Sequence, residues 1–198
     1  MTTPDDDPRV APVVVVERMA VGGDGVGHLD DGRVVFVRGT SPEDRVAIDL
    51  TEDRSRFAKA EATTVVEAGP HRVEPGCGAV EEGCGGCDWQ HIATSSRADL
   101  QVELVGEVLA RQAGVEIEPI HGGSVPFSGY RSTVRCSVER GRAGFKRHRT
   151  DEIVVHGSCD VAVAELSWLF DVDWGSAAEV MLRSGVATGD LLAVVGPR

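Results

Sequence analysis

Three of the chain's five cysteines lie in one short, glycine-rich segment, which constrains the fold more than any other feature of the sequence. Cys77, Cys84 and Cys87 stand within residues 67–94, a stretch with neither helical nor strand periodicity. Such a segment must be ordered by something other than a hydrophobic core of its own. A Cys-x-x-Cys pair lets two thiolates reach one metal centre, and glycines let the backbone fold around the sulfur atoms. The segment therefore predicts a metal site.

The other two cysteines differ in their surroundings. Cys159 follows Cys87 after 71 intervening residues, so a remote segment would supply a fourth thiolate. Four thiolates suit either tetrahedral zinc or a [4Fe–4S] cluster, and the spacing alone does not distinguish them. Cys136 alternates with Val134 and Val138 along a predicted strand, which indicates a buried structural thiol and neither a ligand nor a nucleophile.

The ends and the apolar runs of the chain predict its compartment. The acidic start, Met1–Pro8, lacks the positive charge and apolar core of a signal peptide, and residues 1–9 are predicted to be a disordered arm. No apolar run approaches the length of a membrane span, so no membrane partner is expected. The chain is therefore predicted to be cytoplasmic. Thiols stay reduced in that compartment, so its cysteines are more readily explained as metal ligands than as disulfides.

Residues 10–68 show the pattern of a small β-barrel. Asp31-Gly32 precedes the apolar run Val34–Val37, which is a hairpin signature, and Phe57–Val66 can form a long last strand. Five short antiparallel strands in about 55 residues predict an OB-like closed barrel.

Residues 69–198 predict an α+β domain with an antiparallel sheet, so the whole chain is predicted to be mainly β with an α+β second part. Apolar residues from Leu100 to Leu109 share one helical face, and Gly114 is a plausible stop. Residues 130–138 alternate as a strand. Helices are also predicted at 161–170 and 177–182.

A basic segment interrupts an acidic chain. Residues 131–149 hold seven basic residues against one acid, although the formal net charge of the protein is −12. On a pair of strands these side chains could follow the phosphates of an RNA backbone, whereas the alternative is a solvated hairpin that balances the acidic remainder. The candidate RNA-binding residues are Arg131, Arg135, Lys146, Arg147 and Arg149.

Several motifs together resemble the RNA uracil-5-methyltransferases. Met19–Gly27 with Gly32–Arg38 resembles their TRAM domain, a small RNA-binding barrel. The segments that resemble the parts following TRAM in that family are Arg72–Cys77, Cys84–His91, Tyr130–Arg135, Gly144–Lys146 and His156–Cys159.

The resemblance implies specific partners and cofactors. Cys77, Cys84, Cys87 and Cys159 would hold a [4Fe–4S] cluster, with zinc as the alternative, and the RNA would be ribosomal or transfer RNA. The family's catalytic domain, which binds S-adenosylmethionine (SAM), is absent from this sequence, so no catalytic residue is assigned. The sequence thus predicts the RNA-recognition and cluster portion of a SAM-dependent uridine C5-methyltransferase. Catalysis would need a separate or downstream domain. The alternative is a stand-alone TRAM-type RNA-binding protein with a structural metal.

Overall fold

The computed structural model describes residues 11–197, and the predicted arm at residues 1–9 lies outside them. The chain divides into two compact units, residues 11–74 with 88–122 and residues 75–87 with 123–197. No helix in this described range is both long enough and apolar enough to cross a membrane. The α-helices are α1 (Gly78–Glu81) and α2 (Thr94–Val108).

The first unit is built on one six-stranded sheet in the order β1-β5-β6-β4-β3-β2. Neighbouring strands are antiparallel except β4 and β6, which are parallel because β5 carries the chain back to the far side of β6. The strands are β1 (Val13–Val15), β2 (Arg18–Met19), β3 (Gly25–His28), β4 (Val34–Arg38), β5 (Arg45–Asp53) and β6 (Phe57–Glu67).

The sheet closes on itself because β1 and β2 are two pieces of one segment. The Val16 N–H donates a hydrogen bond of 2.9 Å to the Asp44 carbonyl beside β5, and the next N–H, of Glu17, donates one of 2.7 Å to Val26 in β3. The segment therefore changes partners between two successive residues. The predicted OB-like barrel is confirmed, but it has six strands instead of five, and β4 and β6 pair in parallel although only antiparallel strands were predicted.

Strand alternation fills the barrel with small apolar side chains. On β4, Val35 and Val37 point inward and are fully buried, whereas Phe36 between them points outward and is only half-buried. The glycines of β3 make room for the closing segment. A Cβ on Gly27 would lie only 2.5 Å from both Val14 Cγ1 and the Val15 carbonyl oxygen, so no larger residue fits there without a shift.

Helix α2 groups with the barrel in the first unit, although the predicted domains placed it among residues 69–198. It continues into a π-helical turn at Leu109–Ala113 and stops at Gly114, whose φ of 64° is left-handed. The predicted glycine stop is confirmed. Leu100 anchors the helix in a small apolar core that it shares with Met19.

A buried carboxylate, Asp44, holds the turn between β4 and β5. It accepts hydrogen bonds from the N–H groups of Ser41 (2.6 Å) and Gly69 (2.8 Å), and from Arg72 Nη2 (2.7 Å). Burial alone would raise the pKa of Asp44, but the hydrogen bonds from Arg72, Gly69 and Ser41 together outweigh it and lower that pKa. The carboxylate is therefore ionised and fully satisfied.

The same turn also binds the chain beyond the cysteine segment. His91 is buried, and its Nε2–H donates a hydrogen bond of 2.9 Å to the Thr40 carbonyl oxygen. Burial lowers the pKa of His91 and outweighs the opposing effect of this hydrogen bond, so the neutral imidazole is favoured, with its proton on Nε2. Residues 69–72 and His91, which flank the segment 75–87, are thus both fixed to the barrel turn at 40–44.

The second unit is a five-stranded antiparallel sheet in the order β11-β10-β7-β8-β9. A 3₁₀ helix, Ala164–Phe170, covers one face and buries Leu166, Leu169 and Phe170 against it. The strands are β7 (Thr133–Glu139), β8 (Arg142–Lys146), β9 (Ile153–Val154), β10 (Glu179–Ser184) and β11 (Leu191–Gly196). The predicted α+β part with an antiparallel sheet is confirmed.

One predicted helix is wrong. Residues 177–182 were expected to be helical, but β10 pairs with β7 on one side and β11 on the other. Val180 and Leu182 are fully buried and alternate with the more exposed Met181 and Arg183, which is a period of two. A short apolar run fits both periods, and only the neighbouring strands decide between them. The helix predicted at 161–170 is the shorter 3₁₀ helix described above.

Asp44→Ala is expected to destabilise the protein by about 3 kcal/mol, because it leaves a partly buried Arg72 and two N–H groups without their acceptor. Urea unfolding followed by circular dichroism measures this change. Asp49→Ala, on the exposed side of β5, is the matched control and should shift stability by less than about 0.5 kcal/mol. Equal effects of the two substitutions would contradict the role of Asp44.

Candidate metal centre and nucleic-acid interface

The second unit brings the four predicted metal ligands into one region. Cys77 directly precedes α1, while Cys84 and Cys87 follow it, and Cys159 precedes the 3₁₀ helix; all four are half-buried free thiols. Burial raises the pKa of Cys84, and the nearby sulfurs of Cys87, Cys159 and Cys77 raise it further. Cys84 therefore lies close enough to the other three thiols to interact with them electrostatically, although Cys159 comes from a remote segment.

Backbone N–H groups point at two of these sulfurs. The Gly86 N–H donates to Cys84 Sγ at 3.4 Å, and the N–H groups of Val161 and Ala162 donate to Cys159. Burial raises the pKa of Cys159, and these hydrogen bonds oppose that rise because they stabilise the thiolate. Hydrogen bonds to ligand sulfurs are a regular feature of iron–sulfur sites. The thiols and these N–H donors are thus of the kinds that a four-thiolate centre uses.

A bound metal ion needs its ligands at defined distances around one point, which proximity alone does not provide. Between residues 11 and 197, no group of three or more histidine, cysteine, aspartate or glutamate side chains stands close enough to hold a metal ion. The assignment of Cys77, Cys84, Cys87 and Cys159 as ligands stays a prediction.

The cysteine segment is bonded to the rest of the second unit at two points. The Gly85 N–H donates a hydrogen bond of 3.0 Å to the Lys146 carbonyl oxygen at the end of β8, next to a bridge between Cys84 and Arg147. At the other point, His156 Nδ1 and Glu82 Oε1 lie 3.0 Å apart. The cysteine segment and the basic hairpin are therefore physically joined.

Cys136 is a core residue, as predicted. Its side chain is 1% exposed, and it packs in the sheet's apolar core with Val134 and Val138. Burial, with smaller contributions from nearby Cys159 and Cys84, raises the pKa of Cys136 to about 12. A thiol with so high a pKa is a poor nucleophile at neutral pH.

The predicted RNA-binding residues lie on and around the β7–β8 hairpin. Ser137 and Gly144 oppose each other directly, so Arg135 and Lys146, each two residues away, lie on the same side of the sheet as that pair. Both are exposed, whereas Arg131 lies just before β7 with its guanidinium carbon 5.7 Å from the centre of the Tyr130 ring.

Lys146 and Arg147 are both ion-paired with acidic side chains. Lys146 Nζ lies 2.6 Å from Asp151, and Arg147 Nε lies 2.9 Å from Glu152. Sequence reasoning missed these acids because the basic segment was taken to end at Arg149, which adopts a left-handed φ of 55° in the turn between them. Since the pairs are solvent-exposed, they add little to stability, and the basic side chains can exchange their acidic partners for phosphate.

Sequence reasoning also missed a basic residue on this face. Arg183 in β10 is exposed and directly opposes Thr133, so it lies on the same side of the sheet as Arg135. Because residues 177–182 were predicted to be helical, Arg183 was not recognised as part of a strand. Strand alternation is the signal that would have assigned Arg183 to the same face as Arg135.

The comparisons with known proteins agree with this architecture. Residues 13–63, which form the barrel, match the TRAM domain family. An uncharacterized RNA methyltransferase of Corynebacterium efficiens is 35% identical over 83% of this chain and 39% of its own length. The 23S rRNA (uracil(1939)-C(5))-methyltransferase RlmD of Halomonas elongata is 34% identical over 79% of this chain and 33% of its own. The chain belongs to the RNA (uracil-5-)methyltransferase family.

The fold comparison extends over both units. The crystal structure of the tRNA (uracil-54, C5)-methyltransferase of Pyrococcus abyssi, in complex with S-adenosyl-L-homocysteine, has a TM-score of 0.59 at 23% identity. The match covers 92% of this chain and 45% of that one. The chain spans about two fifths of the length of the first curated relatives that it matches.

Gly85→Ala is expected to destabilise the second unit by about 1–3 kcal/mol, a typical cost of overpacking. A Cβ on Gly85 would lie 2.7 Å from the His148 nitrogen and 2.8 Å from the Lys146 carbonyl oxygen, both of them backbone atoms. Gly86→Ala is the matched control, since its Cβ would make only ordinary contacts at 3.5 Å or more. Thermal unfolding of both variants checks this, and an equal loss would show that the close approach at Gly85 is unimportant.

Proposed function

We propose that this chain is the RNA-binding and [4Fe–4S]-binding portion of a SAM-dependent RNA uridine C5-methyltransferase. Membership of the family supports the reaction class, and the lengths of the relatives support a second part that carries out methyl transfer. On this proposal SAM binds outside these 198 residues, and the chain does not methylate RNA by itself.

The observation that carries the proposal is the direct bonding between the cysteine segment and the basic hairpin. The hydrogen bond from Gly85 to Lys146, and the bridge from Cys84 to Arg147, place two basic residues immediately beside the candidate cluster ligands. A [4Fe–4S] cluster would supply four metal–thiolate bonds that cross-link residues 77–87 to Cys159. Ordering that segment also orders the end of β8, where RNA contacts are proposed. The role of the site is then structural.

The hairpin residues would bind RNA through its phosphates. Arg135, Arg183 and Lys146 form an exposed basic face, and Arg131 and Arg149 lie at its ends. Arginine can bind a phosphate through two parallel hydrogen bonds, which suits a role in positioning the strand. Because the whole chain carries a net charge of −12, local charge on this face and not the overall charge would direct RNA binding. One relative is named for 23S rRNA and the structural neighbour for tRNA, so the proposed target is ribosomal or transfer RNA.

Protein expressed and purified without oxygen is expected to contain about four iron and four sulfide per chain, and to absorb visible light. Replacing Cys77, Cys84, Cys87 or Cys159 by alanine one at a time should lower iron and sulfide content and abolish the absorption. Cys136→Ala is the matched control and should retain both, because that thiol lies in the sheet core. Colourless protein with one zinc and no sulfide would overturn the cluster assignment in favour of the zinc alternative.

The Arg135→Gln/Lys146→Gln double variant is expected to bind RNA more weakly and with a shallower salt dependence. Each lost phosphate contact should reduce the slope of log K against log salt by about 0.7 for a single strand. Arg45→Gln/Arg54→Gln, on exposed barrel positions, makes the same change in net charge and should leave the slope unchanged. Fluorescence anisotropy over a range of salt concentrations measures it. Identical slopes of log K against log salt for the two double variants would show that the hairpin does not contact the RNA.

A further inference from the structure

The first unit contains a second basic site that the hairpin does not explain. Between the outer face of the barrel and helix α2 lies a cavity of about 460 Å³. Its charged lining consists of Arg18, Arg56, Arg111 and Glu107, so three cations stand against one carboxylate. In a chain of net charge −12, this concentration of positive charge calls for an anionic ligand.

The floor of the cavity is aromatic and apolar. Phe36 on β4 and Phe57 on β6 both point away from the barrel interior, and their ring centres are 6.2 Å apart in an edge-to-face arrangement of 77°. The two residues are placed together by the parallel register of these strands, in which Val34 opposes Phe57. Leu104 and Val108 of α2 supply the facing wall. Partly exposed aromatic rings on an outer barrel surface offer a flat surface on which a base can stack.

The arginines stand where a phosphate attached to such a base could be held. Glu107 is shared by two of them, since its carboxylate lies 3.0 Å from Arg18 and 3.4 Å from Arg111. One carboxylate cannot neutralise both guanidinium groups, and Arg56 is exposed at the same cavity. The site therefore combines an apolar floor for a base with a cationic rim for its phosphate, a combination that single-stranded nucleic acid satisfies.

We infer that this cavity binds one unpaired nucleotide of an RNA strand, with its base against Phe36 and Phe57 and its phosphate against Arg18, Arg56 and Arg111. The inference rests on the proposal that the chain binds RNA, but it concerns a different unit and different residues. On this inference the barrel binds an unstacked nucleotide, and the hairpin separately contacts phosphates. Gln112 also lines the cavity, and its amide can both donate and accept hydrogen bonds.

The test combines protein variants with modified RNA. The full chain, prepared without oxygen, is titrated into fluorescein-labelled single-stranded RNA of 12 nucleotides (roughly the span of one barrel) and into a series in which one nucleotide at a time lacks its base. Phe36→Leu keeps an apolar side chain but removes the ring, and should weaken binding to intact RNA by about tenfold. For the nucleotide that occupies the cavity, removing the base should weaken RNA binding by wild type by the same factor. The same removal should not weaken binding by Phe36→Leu any further.

Matched controls separate the site from general effects. Arg56→Gln should reduce the salt slope by about 0.7, whereas Arg45→Gln, an exposed arginine elsewhere on the barrel, should leave it unchanged. Leu50→Ala removes an exposed apolar side chain from β5 and should not alter affinity. Arg56 is exposed, so its substitution tests the site even if Phe36→Leu lowers the unfolding midpoint.

The outcomes distinguish this inference from the proposed function. Loss of affinity in Arg135→Gln/Lys146→Gln with none in Phe36→Leu or Arg56→Gln would overturn the cavity and leave the hairpin standing. The reverse pattern would support the cavity and retire the hairpin. If wild type binds no RNA, both fail. If polyglutamate competes as well as unlabelled RNA, the cavity recognises acidic polymers in general and the inference is wrong.

Discussion

A single buried carboxylate organises the route of the chain through the first unit. Asp44 accepts hydrogen bonds from the backbone at Ser41 and Gly69 and from the side chain of Arg72, and it is completely shielded from water. A charge in that position is tolerated only because every oxygen is paired. The same turn also holds His91, whose Nε2–H donates a hydrogen bond to the Thr40 carbonyl oxygen.

Close backbone approach plays the corresponding part in the second unit. Residues 75–87 have little apolar material to bury, so their position depends on polar and backbone contacts with the sheet. Gly85 lies against the backbone of Lys146 and His148, at a distance that no side chain would permit. Cys84 and its neighbouring thiols therefore lie on a loop that few apolar contacts of its own stabilise. Such a site gains most from a metal centre, since metal–thiolate bonds would replace the missing core.

The local charge at the candidate binding surfaces is positive, although the overall charge of the protein is negative. The chain is strongly acidic, yet exposed basic side chains gather on one face of the second sheet and around one cavity of the first unit. At physiological ionic strength, charges further apart than about 8 Å are largely screened, so a ligand responds to the nearest groups. Acidic partners such as Asp151 and Glu107 hold the basic side chains in place and reduce nonspecific attraction. Binding would then require a strand that can displace or bypass them.

The sequence by itself determined the structural type of each half and the place of several single residues. Alternation identified Cys136 as a core thiol, glycine at position 114 marked the end of the helical segment that begins with α2, and the motifs around Cys77–Cys87 indicated the family. These features depend on residues close together in the chain, where periodicity and turn preference act directly.

Tertiary structure decided what depends on distant residues. The closing of the barrel required Val16 and Glu17 to meet different strands, and β10 became a strand because β7 and β11 lie on either side of it. The cavity beside Phe36 exists only because α2 packs near β4 and β6. Each of these results is set by a hydrogen bond or packing contact between segments far apart in sequence, and a local pattern carries no information about such contacts.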